Sequence, residues 1–262
     1  MTARGRLLTI LLAGSVACGG GGGPAPSSSP SPTQTSSILP PAADPAIPDL
    51  CLNDSIEVVH FPTSDGVTLA AAVLGSGTKG VLLAHMGGTA QNLCAWLPFA
   101  QTLADDGYLV LDIDMRGFGA SGYSPDQRYD LDVVAGVAEL RRRGATTIDL
   151  MGGSLGAIAA LTGGVRADPP VDGIISLSSP ADPPGFGVPD AVRGLRVPVL
   201  FVAAEDDAAF GRDARTLYRE APTKDKTLKI YPGFDHGIDL LRFDLADRVG
   251  TLVRSWLARH SG

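Results

Sequence analysis

The stretch TIDLMGGSLGAIAALTGGV, residues 147–165, decides the fold of this sequence. Its opening residues, up to the methionine, are mostly β-branched or apolar and predict a buried strand. The small apolar residues that follow the serine predict a helix. Between the two stands Gly-x-Ser-x-Gly, and a strand that runs into a helix through this motif makes a sharp turn that exposes the serine. We therefore predict that Ser154 is a nucleophile on a strand-to-helix turn.

Three neighbours of Ser154 have roles that follow from this turn. Gly152 and Gly156 stand where a Cβ would collide with the neighbouring strand and helix, so we predict that they form the structural elbow. The N–H of Leu155 lies at the N-terminus of the predicted helix, where unpaired donors favour a negative charge. Leu155 is therefore predicted to supply one donor of an oxyanion hole.

Strand-like and helix-like segments alternate on both sides of this stretch, each bounded by Gly, Pro or Asp. The first two strands are separated by a turn and are predicted to be antiparallel. The later strands alternate with helices, which predicts an α/β fold with a mostly parallel central sheet and helices on both faces. The predicted strands cover residues 56–61, 68–74, 80–85, 108–115, 147–151, 171–177, 197–204 and 228–231, and the predicted helices cover residues 92–106, 130–143, 155–165, 212–221 and 240–260.

The base and the acid of such a site should follow the serine in the order acid, then histidine. His236 lies in a loop after the last predicted strand, and histidine suits proton transfer near neutral pH. The strand over 199–204 is followed by Glu205, Asp206 and Asp207, at the sheet edge where ligands bind. A lone loop histidine or three adjacent acids can equally be solvated surface residues. Their position relative to Ser154 makes them candidates.

The second oxyanion donor should come from the loop after the third strand, where the sequence reads His85-Met86-Gly87-Gly88. Either Gly87 or Met86 would supply the N–H. An ordinary tight turn explains the two glycines equally well. His85 precedes the serine, which is the wrong order for the base, so we interpret it as a structural histidine at a strand end.

Residues 80 to about 241 resemble the α/β-hydrolase family. A His-Gly-x turn of that family is matched loosely by residues 85–87, and its Asp-x-Arg-Gly-x-Gly-x-Ser segment, structural in the family, is matched by residues 114–121. The family's acid commonly falls three residues after a strand-ending Gly. Ala204 takes that place here, which points to Asp207 and leaves Asp206 as the alternative.

The resemblance implies a serine hydrolase that cleaves a carboxylic ester through an acyl-enzyme, similar to carboxylesterases or dienelactone hydrolases, without a cofactor or metal. Only residues 181–198 separate the sixth strand from the next, which predicts an open site with no large cap domain. A peptidase, amidase or thioesterase would use the same residues. A different class of alternative is a lipid-anchored binding protein that kept the scaffold and lost turnover.

The first residues have the pattern of an export signal. Arg4 and Arg6 precede an uncharged run over residues 7–17, which is too short to span a membrane. The run ends in Ser-Val-Ala-Cys, which resembles the bacterial lipobox, with Ser15 where Leu is usual. We predict a signal peptide over residues 1–17.

Cys18 would then carry the lipid. Residues 18–48 are rich in Gly, Pro and Ser and cannot bury enough apolar surface to fold, so they predict a flexible tether. This arrangement predicts an extracytoplasmic protein anchored to the bacterial membrane. Secretion after cleavage near residue 17, or an apolar N-terminal helix, is the alternative.

Composition restricts the remaining possibilities. With 262 residues, 44% of them hydrophobic, the chain can form one large core, and we predict a single catalytic domain over residues 49–262. A net charge of −7 without a basic block argues against a nucleic-acid partner. In an oxidising compartment Cys51 and Cys94 would form a disulfide, with two unpaired thiols as the alternative. No metal-site spacing is present among the cysteines and histidines.

Overall fold

The structure is a computed structural model, and it describes Cys51, residues 56–88 and residues 91–261. The predicted signal peptide, Cys18 and the predicted tether lie outside these residues. Within the described part, no helix combines the length and apolarity needed to cross a bilayer.

The strands of the described part form a single eight-stranded sheet in the order β1-β2-β4-β3-β5-β6-β7-β8. β1 pairs antiparallel with β2, and β2 pairs antiparallel with β4. All the other neighbours are parallel, so the predicted opening pair and mostly parallel sheet are confirmed. The strands are β1 (Glu57–Pro62), β2 (Thr68–Leu74), β3 (Lys79–Ala84), β4 (Leu109–Ile113), β5 (Thr147–Gly153), β6 (Gly173–Leu177), β7 (Val199–Ala204) and β8 (Lys226–Tyr231).

Helices cover both faces of this sheet, as predicted. Apolar side chains of α2, α3, α4 and α5 pack on one face, and those of α1 and α6 pack on the other. Both faces of the central strands are therefore buried, which explains their nearly continuous apolar sequences. The helices are α1 (Leu97–Asp105), α2 (Tyr129–Arg142), α3 (Leu155–Gly164), α4 (Val188–Gly194), α5 (Phe210–Glu220) and α6 (Ala246–His260).

Two predicted helices are wrong at their N-terminal ends. The segment expected to open the first helix is a separate 3-10 turn, Leu93–Ala95, capped by the side chain of Asn92. The predicted helix over 240–260 begins instead as the 3-10 turn Gly237–Leu241, and α6 starts only at Ala246. There the carbonyl of Asp239 accepts from two successive N–H groups, which closes a tight turn before an α-helical register can form.

The connection between β6 and β7 contains α4, a helix of seven residues that the sequence did not predict. It follows Gly187, which adopts a left-handed conformation, and it has a proline in its first turn. No cap domain is inserted between these strands, in agreement with the prediction.

The predicted disulfide between Cys51 and Cys94 is present, with Cα atoms 5.6 Å apart. It joins the start of the domain to the 3-10 turn that precedes α1. The bridged residues are separated by 43 positions, so the bond closes a loop that contains β1, β2 and β3.

The segment over residues 114–121 is structural, as the family resemblance implies. The carboxylate of Asp114 accepts from the N–H groups of Leu93 (2.7 Å) and Ala120 (2.8 Å). The hydroxyl of Ser121 donates to the Asp114 carbonyl (2.5 Å) and accepts from the N–H of Ala70 (2.8 Å). These bonds fasten the loop after β4 to β2 and to the segment before α1.

Candidate active site

Ser154 occupies the turn between β5 and α3. Its backbone has φ 51° and ψ −109°, a conformation that costs a residue with a Cβ roughly 1–3 kcal/mol. The N–H of Ser154 donates to the carbonyl of Leu177 in β6 (2.8 Å), which ties the turn to the neighbouring strand. Because Ser154 is only half-buried, this turn presents the serine at the carboxyl edge of the sheet.

Close approach of the backbone fixes the shape of this turn. A Cβ on Gly152 would overlap the backbone of Gly156, and a Cβ on Gly156 would overlap the carbonyl of Ala84 at the end of β3. β3, β5 and α3 therefore meet at a distance that only glycine permits at these two positions. This is the packing that the Gly-x-Ser-x-Gly motif requires.

The loops after β7 and β8 bring an aspartate and a histidine together. Nδ1 of His236 lies 2.8 Å from Oδ2 of Asp207, and Asp207 is buried, with 7% of its surface exposed. The ring of Phe210 packs on the imidazole, with centroids 4.3 Å apart. Asp206 is exposed, and its N–H donates to the carbonyl of Gly233 (2.9 Å). The structure thus brings Asp207, and not Asp206, to the histidine.

The loop that carries His236 packs directly on the serine turn. A Cβ on Gly153 would lie 3.1 Å from the nitrogen of Ile238 and 3.2 Å from Cα of Gly237. The residues that follow the histidine therefore touch the residue that precedes Ser154. This contact places the imidazole and the serine on the same side of the sheet edge.

The two predicted oxyanion donors also lie side by side. A Cβ on Gly87 would lie 3.3 Å from Cδ2 of Leu155, so the loop after β3 packs against the first residue of α3. Leu155 opens the helix, and its N–H has no acceptor one turn earlier in α3. Among the described residues, the N–H of Gly87 donates to no acceptor. The two segments that carry the predicted donors are therefore in contact.

Comparison with known proteins agrees with this geometry. A family model described as the α/β hydrolase fold matches residues 80–195. The chain has the α/β-hydrolase fold. The matched residues include Ser154 but end before Asp207 and His236.

Solved structures similar to this chain include several esterases. The esterase domain of a Rhodothermus marinus protein is 26% identical, with a TM-score of 0.64, and the likeness covers 79% of this chain and 100% of that one. An esterase of Pyrococcus furiosus is 19% identical (TM-score 0.68), over 79% of this chain and 91% of the other. A dienelactone hydrolase of Anabaena variabilis is 17% identical (TM-score 0.63), over 78% and 97% of the two chains. The chain therefore shares its fold with these enzymes.

A search of curated protein sequences found no match to this chain.

Carboxylates surround the histidine side of the site. Burial and the nearby charges of Asp244, Asp239 and Asp207 raise the pKa of Asp235. The guanidinium of Arg242 lies 3.8 Å from Asp239, at the limit of an ion pair. The rim of the candidate site beside His236 is thus negatively charged.

Two features of the site were not predicted from the sequence. Phe210 contacts His236 from the first turn of α5, and an isolated aromatic residue in that position gives no sequence signal. Asp235, Asp239 and Asp244 of the rim lie in the single connection between β8 and α6, and only folding brings Asp207 to them. Among the described residues, no group of three or more His, Cys, Asp or Glu side chains is arranged to hold a metal ion.

Proposed function

We propose that this hydrolase cleaves carboxylic esters through an acyl-enzyme formed on Ser154, with His236 as base and Asp207 as the acid that orients it. One observation carries the proposal. His236 lies 2.8 Å from Asp207, and the residue after it, Gly237, packs against Gly153, the residue before Ser154. Ser154 itself has a strained positive φ. Strain of this kind persists where the surrounding structure enforces it, commonly at reactive serines.

The contact with Asp207 sets the chemistry of the imidazole. With Nδ1–H donating to the carboxylate, Nε2 is the nitrogen that accepts the serine proton. The serine oxygen then attacks the ester carbonyl, and the N–H groups of Leu155 and Gly87 hold the developing oxyanion. The imidazolium returns its proton to the leaving alcohol, and water hydrolyses the acyl-enzyme by the same steps.

The charge of the rim favours uncharged esters. Asp235, Asp239 and Asp244 repel a substrate that carries its own carboxylate, and this repulsion weakens as salt screens it. The connection between β6 and β7 adds no cap, which leaves the serine turn open to a small acyl group. We therefore expect a neutral aryl ester to have a higher kcat/KM than its anionic analogue at low ionic strength, with the difference falling as salt is added.

The test of the proposed function is labelling of the purified protein with a fluorophosphonate, followed by mass spectrometry to locate the adduct. We expect an adduct on Ser154 that His236→Ala abolishes, since the probe reacts with a serine activated by its base. Ser178 is the matched control because it is a second serine with φ 51°. Ser178→Ala should label normally, and Ser154→Ala should not.

Other outcomes decide among the alternatives. An adduct on a different serine would overturn the assignment of Ser154, and no adduct on folded protein would support the non-catalytic binding protein. If labelling succeeds, ester, thioester and amide substrates with the same acyl group distinguish an esterase from a thioesterase, peptidase or amidase.

We further propose that the protein is extracytoplasmic and anchored to the membrane through a lipid on Cys18. The Cys51–Cys94 disulfide supports this location, since such bonds persist in oxidising compartments. In cells fed an alkyne fatty acid, the wild-type chain should become labelled and fractionate with membranes. Cys18→Ser should lose both properties, and an unlabelled wild-type chain in the culture medium would indicate plain secretion.

A further inference from the structure

His85 lies at the end of β3, fully buried, and both of its ring nitrogens have partners. Nδ1 lies 2.7 Å from the carbonyl oxygen of Met86. Nε2 lies 3.1 Å from the backbone nitrogen of Met115, which belongs to the loop after β4. The imidazole therefore bridges the segment predicted to form the oxyanion hole and the loop after the neighbouring strand.

These two partners determine where the imidazole carries its proton. A backbone N–H can only donate, so Nε2 of His85 must accept from Met115 and carries no hydrogen. A neutral imidazole then has its hydrogen on Nδ1, which donates to the Met86 carbonyl. Burial lowers the pKa of His85 and favours this neutral form. Asp114 is the charged group that faces the ring and opposes the shift, while Phe118 packs its ring edge-on at 4.8 Å.

The bond to Met86 fixes the direction of the next N–H. In a planar trans peptide, the carbonyl of one residue and the N–H of the following residue point in opposite directions. Since the Met86 carbonyl points inward to the buried His85, the N–H of Gly87 points outward. Gly87 is half-buried, and it packs against Leu155, whose N–H is the other candidate donor.

We propose that His85 is a positioning residue for the oxyanion hole: it holds the Met86–Gly87 peptide so that the Gly87 N–H faces the site beside Leu155. The proposal rests on the proposed function of Ser154, because an oxyanion forms only if the serine attacks a carbonyl. It also selects Gly87 over Met86 as the second donor. His85 does not contact the substrate. It acts by fixing the orientation of the Met86–Gly87 peptide.

A matched pair of substitutions separates this role from simple packing. His85→Asn keeps a donor near the position of Nδ1 and loses the acceptor for Met115. His85→Gln places its polar atoms near Nε2 and loses the donor to Met86. Both variants are expected to lose stability, since both remove buried hydrogen bonds.

Their effects on catalysis should differ. With a p-nitrophenyl ester, kcat of the Gln variant should be at least about tenfold below that of the Asn variant, with similar KM values, because the oxyanion donor acts in the transition state. Affinity for a trifluoromethyl ketone, which forms an oxyanion on the serine, should fall in parallel with kcat. Equal kcat values in the two variants would show that His85 acts only through packing.

A measurement on the wild-type protein remains decisive if a variant fails to fold. Nitrogen-15 NMR of histidine-labelled protein reports which ring nitrogen carries the hydrogen. We expect His85 to be the neutral Nδ1–H tautomer near neutral pH. The Nε2–H tautomer would overturn the proposal, since Nδ1 could not then donate to Met86.

These results are distinguishable from a failure of the proposed function. If the wild-type protein neither reacts with the fluorophosphonate at Ser154 nor turns over esters, the proposed function fails. If the wild-type protein is active and the Asn and Gln variants have equal kcat values, only the role of His85 fails.

Discussion

At the scale of single residues, the site depends on which of two adjacent carboxylates, Asp206 or Asp207, contacts His236. Asp207 is buried against the imidazole, whereas Asp206 points to solvent and bonds through its backbone to the loop after β8. Ala208 follows with φ 42°, so the chain turns sharply directly after Asp207. The geometry of this turn gives the two side chains opposite environments.

Replacing each of the two aspartates in turn tests which of them supports catalysis. Asp207→Asn should lower kcat by about 10³–10⁴-fold, because the amide favours the wrong imidazole tautomer and no longer stabilises the imidazolium. Asp206→Asn, the matched control, should stay within about threefold of wild type. Steady-state kinetics on an aryl ester checks both. A large loss of kcat in Asp206→Asn alone would show that Asp206, and not Asp207, orients the histidine.

The glycines of the serine turn lead to a prediction about stability. Gly156→Ala places a methyl group of α3 against the Ala84 carbonyl at the end of β3, so the helix and the strand must move apart. We expect a loss of about 2–3 kcal/mol in the free energy of unfolding. At Gly194 the nearest atom to an added Cβ is 3.9 Å away, so Gly194→Ala should change stability by less than about 0.5 kcal/mol. Thermal or denaturant unfolding compares the two.

The sequence predicts the residues of the site better than their exact geometry. Ser154 stands in a motif whose strand-to-helix context is local, and His236 is recognisable from its order in the chain. Asp207 was favoured over Asp206 only through the family resemblance, because their environments depend on a bond from Asp206 to Gly233, in a loop distant in sequence. His85 was interpreted as structural from its order in the chain, and its bond to Met115, which forms only after β3 and β4 pair, gave no sequence signal.

At the scale of elements, local sequence patterns predict the strands and helices whose formation depends on local interactions. The strands and the long helices follow from apolar runs and their Gly, Pro and Asp boundaries. α4 was missed because it is short and begins beside Pro189, after a glycine-rich turn. Residues 240 and 241, which end the 3-10 turn Gly237–Leu241, were assigned to the last helix, because an apolar run has the same appearance in either helix type.

The disulfide ties two elements together, and its energetic effect is testable. A bridge that closes a loop of this length is expected to stabilise the domain by about 3–4 kcal/mol, chiefly by restricting the unfolded chain. Cys51→Ser should lower the Tm in the absence of reductant. Dithiothreitol should lower the wild-type Tm to the same value and leave the variant unchanged. A reductant-sensitive Cys51→Ser protein would contradict this explanation.

At the scale of the whole molecule, the end of the chain is fastened to the centre of the sheet. The hydroxyl of Ser261, after α6, donates to the buried carboxyl of Asp149 in β5 (2.5 Å). Burial raises the pKa of Asp149 to about 6. In the unfolded chain an aspartate titrates near 4, so the folded state retains a proton that the unfolded state has released.

This difference makes stability depend on pH. Because the folded pKa of Asp149 is the higher one, its contribution is complete below pH 4 and is lost as pH rises through about 6, by about 3 kcal/mol at most. Asp149→Asn should abolish this part of the decline. Asp190→Asn, at an exposed carboxylate, should retain it. Chemical unfolding between pH 4 and 8 compares the three proteins, and parallel pH profiles for wild type and Asp149→Asn would disprove the assignment.

The Cys51–Cys94 bond also determines how the domain would respond to mechanical force. β1 is an edge strand whose neighbour in the described sheet is β2 alone, and tension along the backbone would break the hydrogen bonds of such a strand one at a time. The covalent bridge diverts tension at Cys51 directly to Cys94, ahead of α1. The loop it bypasses contains β1, β2, β3 and Gly87, so a pull between the two ends of the chain would leave that part of the site unloaded.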